Sequence, residues 1–343
     1  MKFNNLVALA KKCMGGNSST PINYSNGDKN VQLSYDAANA VLREELNKLA
    51  GTYADYRKNK NVIFELIEEA ITDVLPKKVL ESYGTFAEVK TYKQGDRPVF
   101  TQRITMASKR RAKRFVTKVG LAGVYEIFKL DGQSYEVKTS AFGGAYGIGL
   151  EEFLDGRIDL ADVSTIIMEG LDEAVYLEIQ RALVAATSTL QEGNKYTGTA
   201  FVEKEMDKLL SVADSYGQST IYCTYEFAAT MLPAEAWVSD RMKDEIWSTG
   251  YFTKYKNHNV IILPQSYEDE TNTVKTIDPS FAWIIPVGAE KPVKVAFEGG
   301  TLIRERENED WSRDVQVYKK LGVAAIITNN ICVYRNTSLK VTD

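Results

Sequence analysis

The sequence contains a single histidine, His258, in a polar stretch just before an apolar run. A general base needs a partner nucleophile, and no serine or cysteine nucleophile motif lies around this histidine in the sequence. One histidine also cannot form the usual histidine-rich metal site. We therefore expect His258 to be a turn or surface residue, and we assign no catalytic residue.

Carboxylates are the next groups that could support chemistry. An acidic cluster near the C-terminus consists of Glu305, Glu307, Glu309 and Asp310. It could bind a hard cation, but it lacks the glycine and the alternating acids of a calcium loop, and Arg304 and Arg306 alternate with it. We expect a solvated or salt-bridged turn there, with no metal site. Glu151 and Glu152 are adjacent and so do not face each other as an acid/base pair.

The glycine-rich segment 143–149 superficially suggests a phosphate-binding loop. It has no lysine at the P-loop position and no established strand–loop–helix context. We interpret it as the flexible base of a loop, where glycine lets the backbone bend. No cofactor is expected.

A basic run, residues 109–114, could contact nucleic acid. The formal net charge of −4 and the pI of about 5.5 argue against a protein that coats a duplex, because phosphate neutralisation needs an excess of Lys and Arg. Acidic patches elsewhere favour pairing of this run with a neighbouring subunit, and contact with nucleic acid is the alternative.

The composition is that of a folded protein, with 343 residues, 44% hydrophobic and 26% charged. This length suggests two or three lobes. Cys13, Cys223 and Cys332 follow no metal or redox spacing, so we expect thiols in a reducing compartment. The apolar run near the N-terminus is too short for a secretory signal, and no stretch approaches the roughly 18 apolar residues of a membrane span.

Three kinds of element precede residue 150. Residues 1–33 are polar and turn-rich and indicate an arm; helices are predicted over 37–50 and over 61–75, the second ending at Pro76. Strands follow from residue 81, and Asp131-Gly132 is a strong signal for a hairpin in which Phe128 faces Tyr135. A two-stranded ribbon with mixed faces is marginal in water, so we expect it to lie against something larger.

A long helix is predicted from Asp159 to Thr187, because apolar residues recur there at four-residue steps without an internal proline. Residues 200–300 alternate short apolar runs with helical patterns and indicate a separate α/β lobe. Strands are predicted over 315–318, 322–328 and 331–335.

This order of elements resembles the Hong Kong 97-type capsid fold of the major capsid proteins of tailed bacteriophages. The similarity lies in the acidic lead-in 151–160, the stretches 221–224 and 227–232, the apolar run 260–264 and the late stretch 314–323. The resemblance implies an α+β fold with an N-terminal arm (1–33), N-terminal helices of a peripheral domain (34–80) and an extended β-loop (81–149). It further implies a spine helix (150–199), an axial domain (200–300), and return strands of the peripheral domain with the C-terminus (301–343).

The resemblance also implies a function. It predicts a structural subunit, not an enzyme, that forms pentamers and hexamers of an icosahedral shell around double-stranded DNA. Scaffolding, portal and decoration proteins are further possible partners, with synthesis in the host cytoplasm and a final place in the virion. Intersubunit contacts are expected at Lys109, Arg110, Arg111, Lys113, Arg114, Phe128 and Tyr135. An encapsulin-like nanocompartment shell, a two-lobed ligand-binding protein and a carboxylate hydrolase are the alternatives.

Overall fold

The structure is a computed structural model. It describes residues 3–15, 22–26, 29–50, 52–102, 133–148, 160–232, 247–263, 265, 267, 269, 271–286, 291–307, 313–326 and 330–339. The chain divides into two compact units. The first comprises residues 1–99, 136–178 and 294–324, and the second comprises 100–135, 179–293 and 325–343.

The first unit begins with a helix in a segment that the sequence indicates is polar and turn-rich. Helix α1 (Phe3–Gly15) buries one apolar stripe that includes Leu6, Leu9 and Ala10. Its Lys11 ammonium lies 2.8 Å from a carboxylate oxygen of both Glu69 and Asp73. The interpretation of residues 1–33 as turn-rich is therefore wrong for α1, because the apolar spacing of residues 6–13 is helical. A short hairpin follows, β1 (Ile22–Asn26) with β2 (Lys29–Leu33).

The next two helices were predicted, but the second is longer than expected. Helix α2 (Tyr35–Ala50) starts at Ser34, whose Oγ accepts the Ala37 N–H at 3.3 Å. Helix α3 (Tyr53–Tyr83) passes through Pro76 instead of ending before it. The missing hydrogen bond costs about 3 kcal/mol, and burial of apolar residues on both sides, such as Leu75 and Val79, offsets it.

The first unit also contains a four-stranded sheet, in the order β3-β12-β13-β6. Its strands are β3 (Ala87–Tyr92), β6 (Ser140–Ile148), β12 (Val293–Glu307) and β13 (Arg313–Ala325). Strand β13 pairs antiparallel with β6, from Arg313 opposite Ile148 to Leu321 opposite Ser140. Two strands are predicted over 315–328, and among the described residues of this stretch, 315–326, the structure has the single strand β13.

Two expectations fail in this sheet. The glycine-rich segment is not a flexible loop base, because residues 143–148 lie in β6 and are paired with β13. The acidic cluster was expected to lie in a turn, but Glu305 lies in strand β12. Its carboxylate is 3.2 Å from the Lys60 ammonium. Glu309 and Asp310 lie outside the described residues, as do Glu151 and Glu152.

The predicted long helix is confirmed as α4 (Leu160–Thr187). Tyr176 on α4 stacks on Tyr83 of α3 with ring centroids 5.2 Å apart, and Asp172 lies 3.3 Å from Lys78. Burial raises the pKa of both tyrosine hydroxyls, so both stay protonated at neutral pH. These contacts fix the first half of α4 within the first unit.

The second unit is built on a six-stranded mixed sheet in the order β7-β14-β11-β8-β10-β9. Its strands are β7 (Lys195–Gly198), β8 (Ser219–Cys223), β9 (Lys254–Tyr255), β10 (His258–Ile262), β11 (Phe281–Pro286) and β14 (Cys332–Asn336). Helices α5 (Glu203–Asp214) and α6 (Tyr225–Thr230) lie between these strands in sequence. Strand β14 was expected in the peripheral domain, and this prediction is wrong because β14 pairs with β7 and β11.

Tyr334 is at the centre of the second core. Its side chain is fully buried, its hydroxyl accepts the Val202 N–H at 2.8 Å, and it donates to the Ala200 carbonyl at 3.0 Å. The ring packs against Phe201 and Phe227. Apolar residues of α5, β8 and β11 surround this group, which explains why strand β14 is held here despite its late place in the sequence.

Candidate assembly surfaces

Most of the predicted intersubunit residues lie outside the described part of the chain. These are Lys109, Arg110, Arg111, Lys113, Arg114 and Phe128, together with Asp131-Gly132, where the sequence predicts a hairpin turn. Tyr135 is described and is half-buried in strand β5 (Gln133–Glu136), where its hydroxyl donates to the Gln133 side-chain oxygen. Strand β5 pairs with β4 (Val99–Gln102) in a two-stranded sheet. We call β4 and β5 with the chain between them the ribbon.

The Glu298 carboxylate of the four-stranded sheet binds the two chain segments that flank the ribbon. One oxygen accepts the Gly95 N–H at 3.0 Å, on the outgoing side, and the other accepts the Thr139 hydroxyl at 2.6 Å, on the returning side. The Lys320 ammonium lies 3.4 Å from the same group. These donors, the Thr139 hydroxyl first, lower the pKa of Glu298 and keep it ionised.

Backbone contacts reinforce this junction. The Val137 N–H donates to the Pro98 carbonyl at 2.9 Å, which ties the two chain segments together. A Cβ atom at Gly322 of β13 would lie 2.4 Å from the Lys138 carbonyl oxygen. The returning chain therefore lies against β13 at a distance that only glycine allows.

This close approach predicts the effect of a single methyl group. We expect Gly322→Ala to lower the free energy of unfolding by about 1–3 kcal/mol, because backbone must move to admit the Cβ. Gly144→Ala in the adjacent strand is the matched control, since nothing lies within 4 Å of its added Cβ. Urea denaturation of both variants measures the difference, and equal stabilities would contradict the close packing.

Two lysines are buried in the same sheet with different partners. Lys294 in β12 is 1% exposed, and its ammonium lies 2.5 Å from a Glu88 oxygen. Lys319 in β13 is 0% exposed, donates to the Gly299 carbonyl at 2.9 Å and lies 5.9 Å from the Phe297 ring centroid. Burial lowers the pKa of Lys319 to about 8. Lys319 is thus a desolvated cation whose ammonium lies near a carbonyl oxygen and an aromatic ring.

The long helix α4 is acidic. It contains five Asp or Glu residues and one Arg, and Glu169 and Glu173 are exposed one turn apart on its surface. Such a helix face attracts a basic segment.

An apolar groove of about 290 Å³ lies beside β6 within the first unit. Its walls come from α4, β6 and β13 and include Ile166, Gly170, Gly144 and Val317. Ile166 is 53% exposed, which is high for an isoleucine. The uncharged sequence of β6, Ser140–Ile148, was the available signal for this surface, and our interpretation as a loop base missed it.

The structure places one hydroxyl group and one carboxylate beside His258. Its Nδ1 lies 3.1 Å from the Ser219 Oγ, and its Nε2 lies 3.5 Å from the Asp214 carboxylate. However, the Ser219 hydroxyl donates to Asp214 at 2.7 Å and Ser219 is 1% exposed, so this group links α5 to two strands and presents no accessible nucleophile. The prediction of a turn or surface histidine is wrong, since His258 lies in β10 with a side chain only 13% exposed.

The three cysteines are free and buried, and burial raises the pKa of Cys13 to about 11 and of Cys223 and Cys332 to about 12. They are protonated thiols at neutral pH.

Within the described ranges, no group of three His, Cys, Asp or Glu residues could hold a metal ion. The helices of that part of the chain are also too short or too polar to cross a membrane.

Residues 2–334 match the model of a family described as "SPbeta prophage-derived putative capsid protein YonB". None of the curated proteins matches the chain. Among solved structures, the capsid of cyanophage P-SCSP1u is 9% identical over 74% of this chain and 87% of that chain, with a TM-score of 0.49. The mature capsid of bacteriophage PhiM1 is 8% identical over 73% and 85%, with a TM-score of 0.47. A virus-like particle from Pyrococcus furiosus is 14% identical over 78% and 98%, with a TM-score of 0.42.

Proposed function

The chain belongs to the YonB family of prophage-derived capsid proteins, and we propose that its copies form pentamers and hexamers of an icosahedral shell around double-stranded DNA. The family match over residues 2–334 is the observation on which this rests. A structural major capsid protein of this kind is part of the virion capsid. No chemistry is assigned to it, since the hydroxyl beside His258 is buried and already hydrogen-bonded.

The proposed contacts between copies follow from the distribution of charge. The segment 103–132 contains eight Lys or Arg residues and two Asp or Glu residues. The rest of the chain contains 34 Lys or Arg residues and 44 Asp or Glu residues. A basic segment in an otherwise acidic protein is complementary to the surface of its own copies. We assign the run Lys109–Arg114 to the acidic face of α4 in a neighbouring copy, at Glu169 and Glu173. Phe128 and Tyr135 supply apolar contacts beside it.

The two chain segments that flank the ribbon are held at the four-stranded sheet. The Glu298 carboxylate accepts the Gly95 N–H on one side and the Thr139 hydroxyl on the other. Contacts of the basic run with neighbouring copies need only modest strength, because many of them act together in a closed shell.

The remaining partners follow from this role. Net charge of −4 does not favour tight binding of the packaged DNA, so the shell is expected to enclose DNA without sequence-specific contacts. Scaffolding, portal and decoration proteins complete the proposed set, and synthesis in the host cytoplasm agrees with three free thiols.

Sedimentation of the expressed protein tests this function. We expect most of the protein in fast-sedimenting particles, and we expect particles from an infected or induced host to protect DNA from nuclease. Particles that instead hold a protein cargo and no DNA would identify a nanocompartment shell. Protein that sediments only as a monomer or small oligomer would contradict a shell function altogether.

A further inference from the structure

Strand β6 is an outer strand of the four-stranded sheet. Among the described residues its one partner in the sheet order is β13. Its nine residues, SAFGGAYGI, include no charged residue and no proline, and Ala141, Gly144 and Ala145 are exposed. An outer strand presents a row of backbone N–H and C=O groups that can pair with another strand. Strand β6 is thus a long outer strand with exposed residues, with which another strand could pair.

The other outer strands of the two larger sheets are protected. Strand β3, at the opposite side of the same sheet, contains Glu88 and Lys90. Strand β7 is four residues long and begins with Lys195, and β9 is two residues long and begins with Lys254. Charged residues and short length are the usual means by which proteins prevent pairing at a sheet edge. Within the described sheets, β6 has neither protection.

The apolar groove lies beside this same strand. Phe142, Gly144 and Ala145 of β6 line it together with Ile166 and Gly170 of α4. In an added strand, every second side chain points to the same face of the sheet. Recognition by strand addition combines backbone hydrogen bonds with pockets for those alternate side chains. Among the described residues, β6 offers an outer edge for backbone pairing, and the groove beside it is apolar.

We propose that β6 accepts an extended strand from a second copy of this chain, with alternate apolar side chains of that strand in the groove. This inference rests on the proposed function, because a shell subunit is surrounded by copies of itself. The chain also contains an extended segment that needs support, since β4–β5 is a two-stranded sheet and such a ribbon is marginal alone.

A charged residue on the strand tests the proposal. We expect Ala145→Lys to reduce particle yield at least about tenfold, because a lysine on the edge hinders strand addition and places a charge beside the apolar groove. Leu302→Lys is the matched control, as Leu302 is 52% exposed on the central strand β12 and bears the same new charge away from the edge. Both variants should unfold at the wild-type temperature. Normal particles from Ala145→Lys would overturn the proposal.

A photo-crosslinking residue at position 145 identifies what covers the strand. Subunits grown in ¹⁴N and ¹⁵N media are mixed before assembly, and the crosslinked peptides are read by mass spectrometry. Mixed-isotope pairs within particles would support a second copy. Pairs of one isotope only, or crosslinks to another protein, would overturn it. Failure of the wild type to assemble would refute the proposed function instead, so the two failures are distinguishable.

Discussion

The double variant Arg110→Glu/Arg111→Glu is expected to form shells at no more than about a tenth of the wild-type yield, while its subunit remains folded. The change replaces two cations by two anions in a segment that is basic within an acidic chain. It would therefore place like charges against Glu169 and Glu173 of a neighbouring copy. Particle yield from a density gradient, with circular dichroism of the subunit, measures both parts of this expectation.

Two further variants make this test specific. Lys204→Glu/Lys208→Glu produces the same change in charge on exposed positions of α5, and it should assemble normally. Combining Glu169→Arg/Glu173→Arg with Arg110→Glu/Arg111→Glu should restore the particle yield if the basic run contacts the acidic face of α4. Wild-type yield from Arg110→Glu/Arg111→Glu alone would show that the basic run is not an intersubunit contact.

The variant Lys319→Met should be more stable than the wild type at neutral pH, by about 1–3 kcal/mol, because it removes a desolvated ammonium and keeps an apolar side chain of similar length. Lys294→Met is the matched control on the neighbouring strand. It should be less stable than the wild type, since it leaves the Glu88 carboxylate without the ammonium that lies 2.5 Å from it.

The pH dependence of Lys319→Met gives an independent check. The pKa of Lys319 is about 8 in the folded chain and about 10.5 when exposed, so the folded state binds fewer protons between these values. Wild-type stability from this group therefore rises as pH increases from about 8 to 10.5. The advantage of Lys319→Met should shrink over the same range. A stability difference between Lys319→Met and the wild type that does not change with pH would contradict the assignment of Lys319 as a desolvated cation. So would a variant that is less stable than the wild type at pH 7.

Long amphipathic elements were predictable from the sequence, because their apolar spacing is repeated many times. The helix expected from Asp159 is found as α4, and the helix expected over 37–50 is found as α2. Pro76 predicts a helix end because its local cost is certain, whereas the burial of Leu75 and Val79 that offsets this cost depends on tertiary packing.

Features that depend on contacts distant in sequence were not predictable. Strand β12 was missed because it is buried on both faces around Lys294 and Glu298, so it shows neither simple alternation nor a purely apolar run. The hydrogen bonds of Glu298 were also not predictable. Its partner Gly95 is 203 positions away in the chain, and its partner Thr139 is 159 positions away. The glycines of β6 were read as bend signals, although Gly143 and Gly144 lie in a regular ladder with β13.

Negative-stain electron microscopy of the purified protein tests the central claim most directly. Repeated copies of the chain should form closed, uniform shells of icosahedral outline under conditions in which the subunit is folded. Fields that contain only dispersed monomers or small oligomers, at every protein and salt concentration tried, would contradict the identification of this chain as a self-assembling capsid subunit.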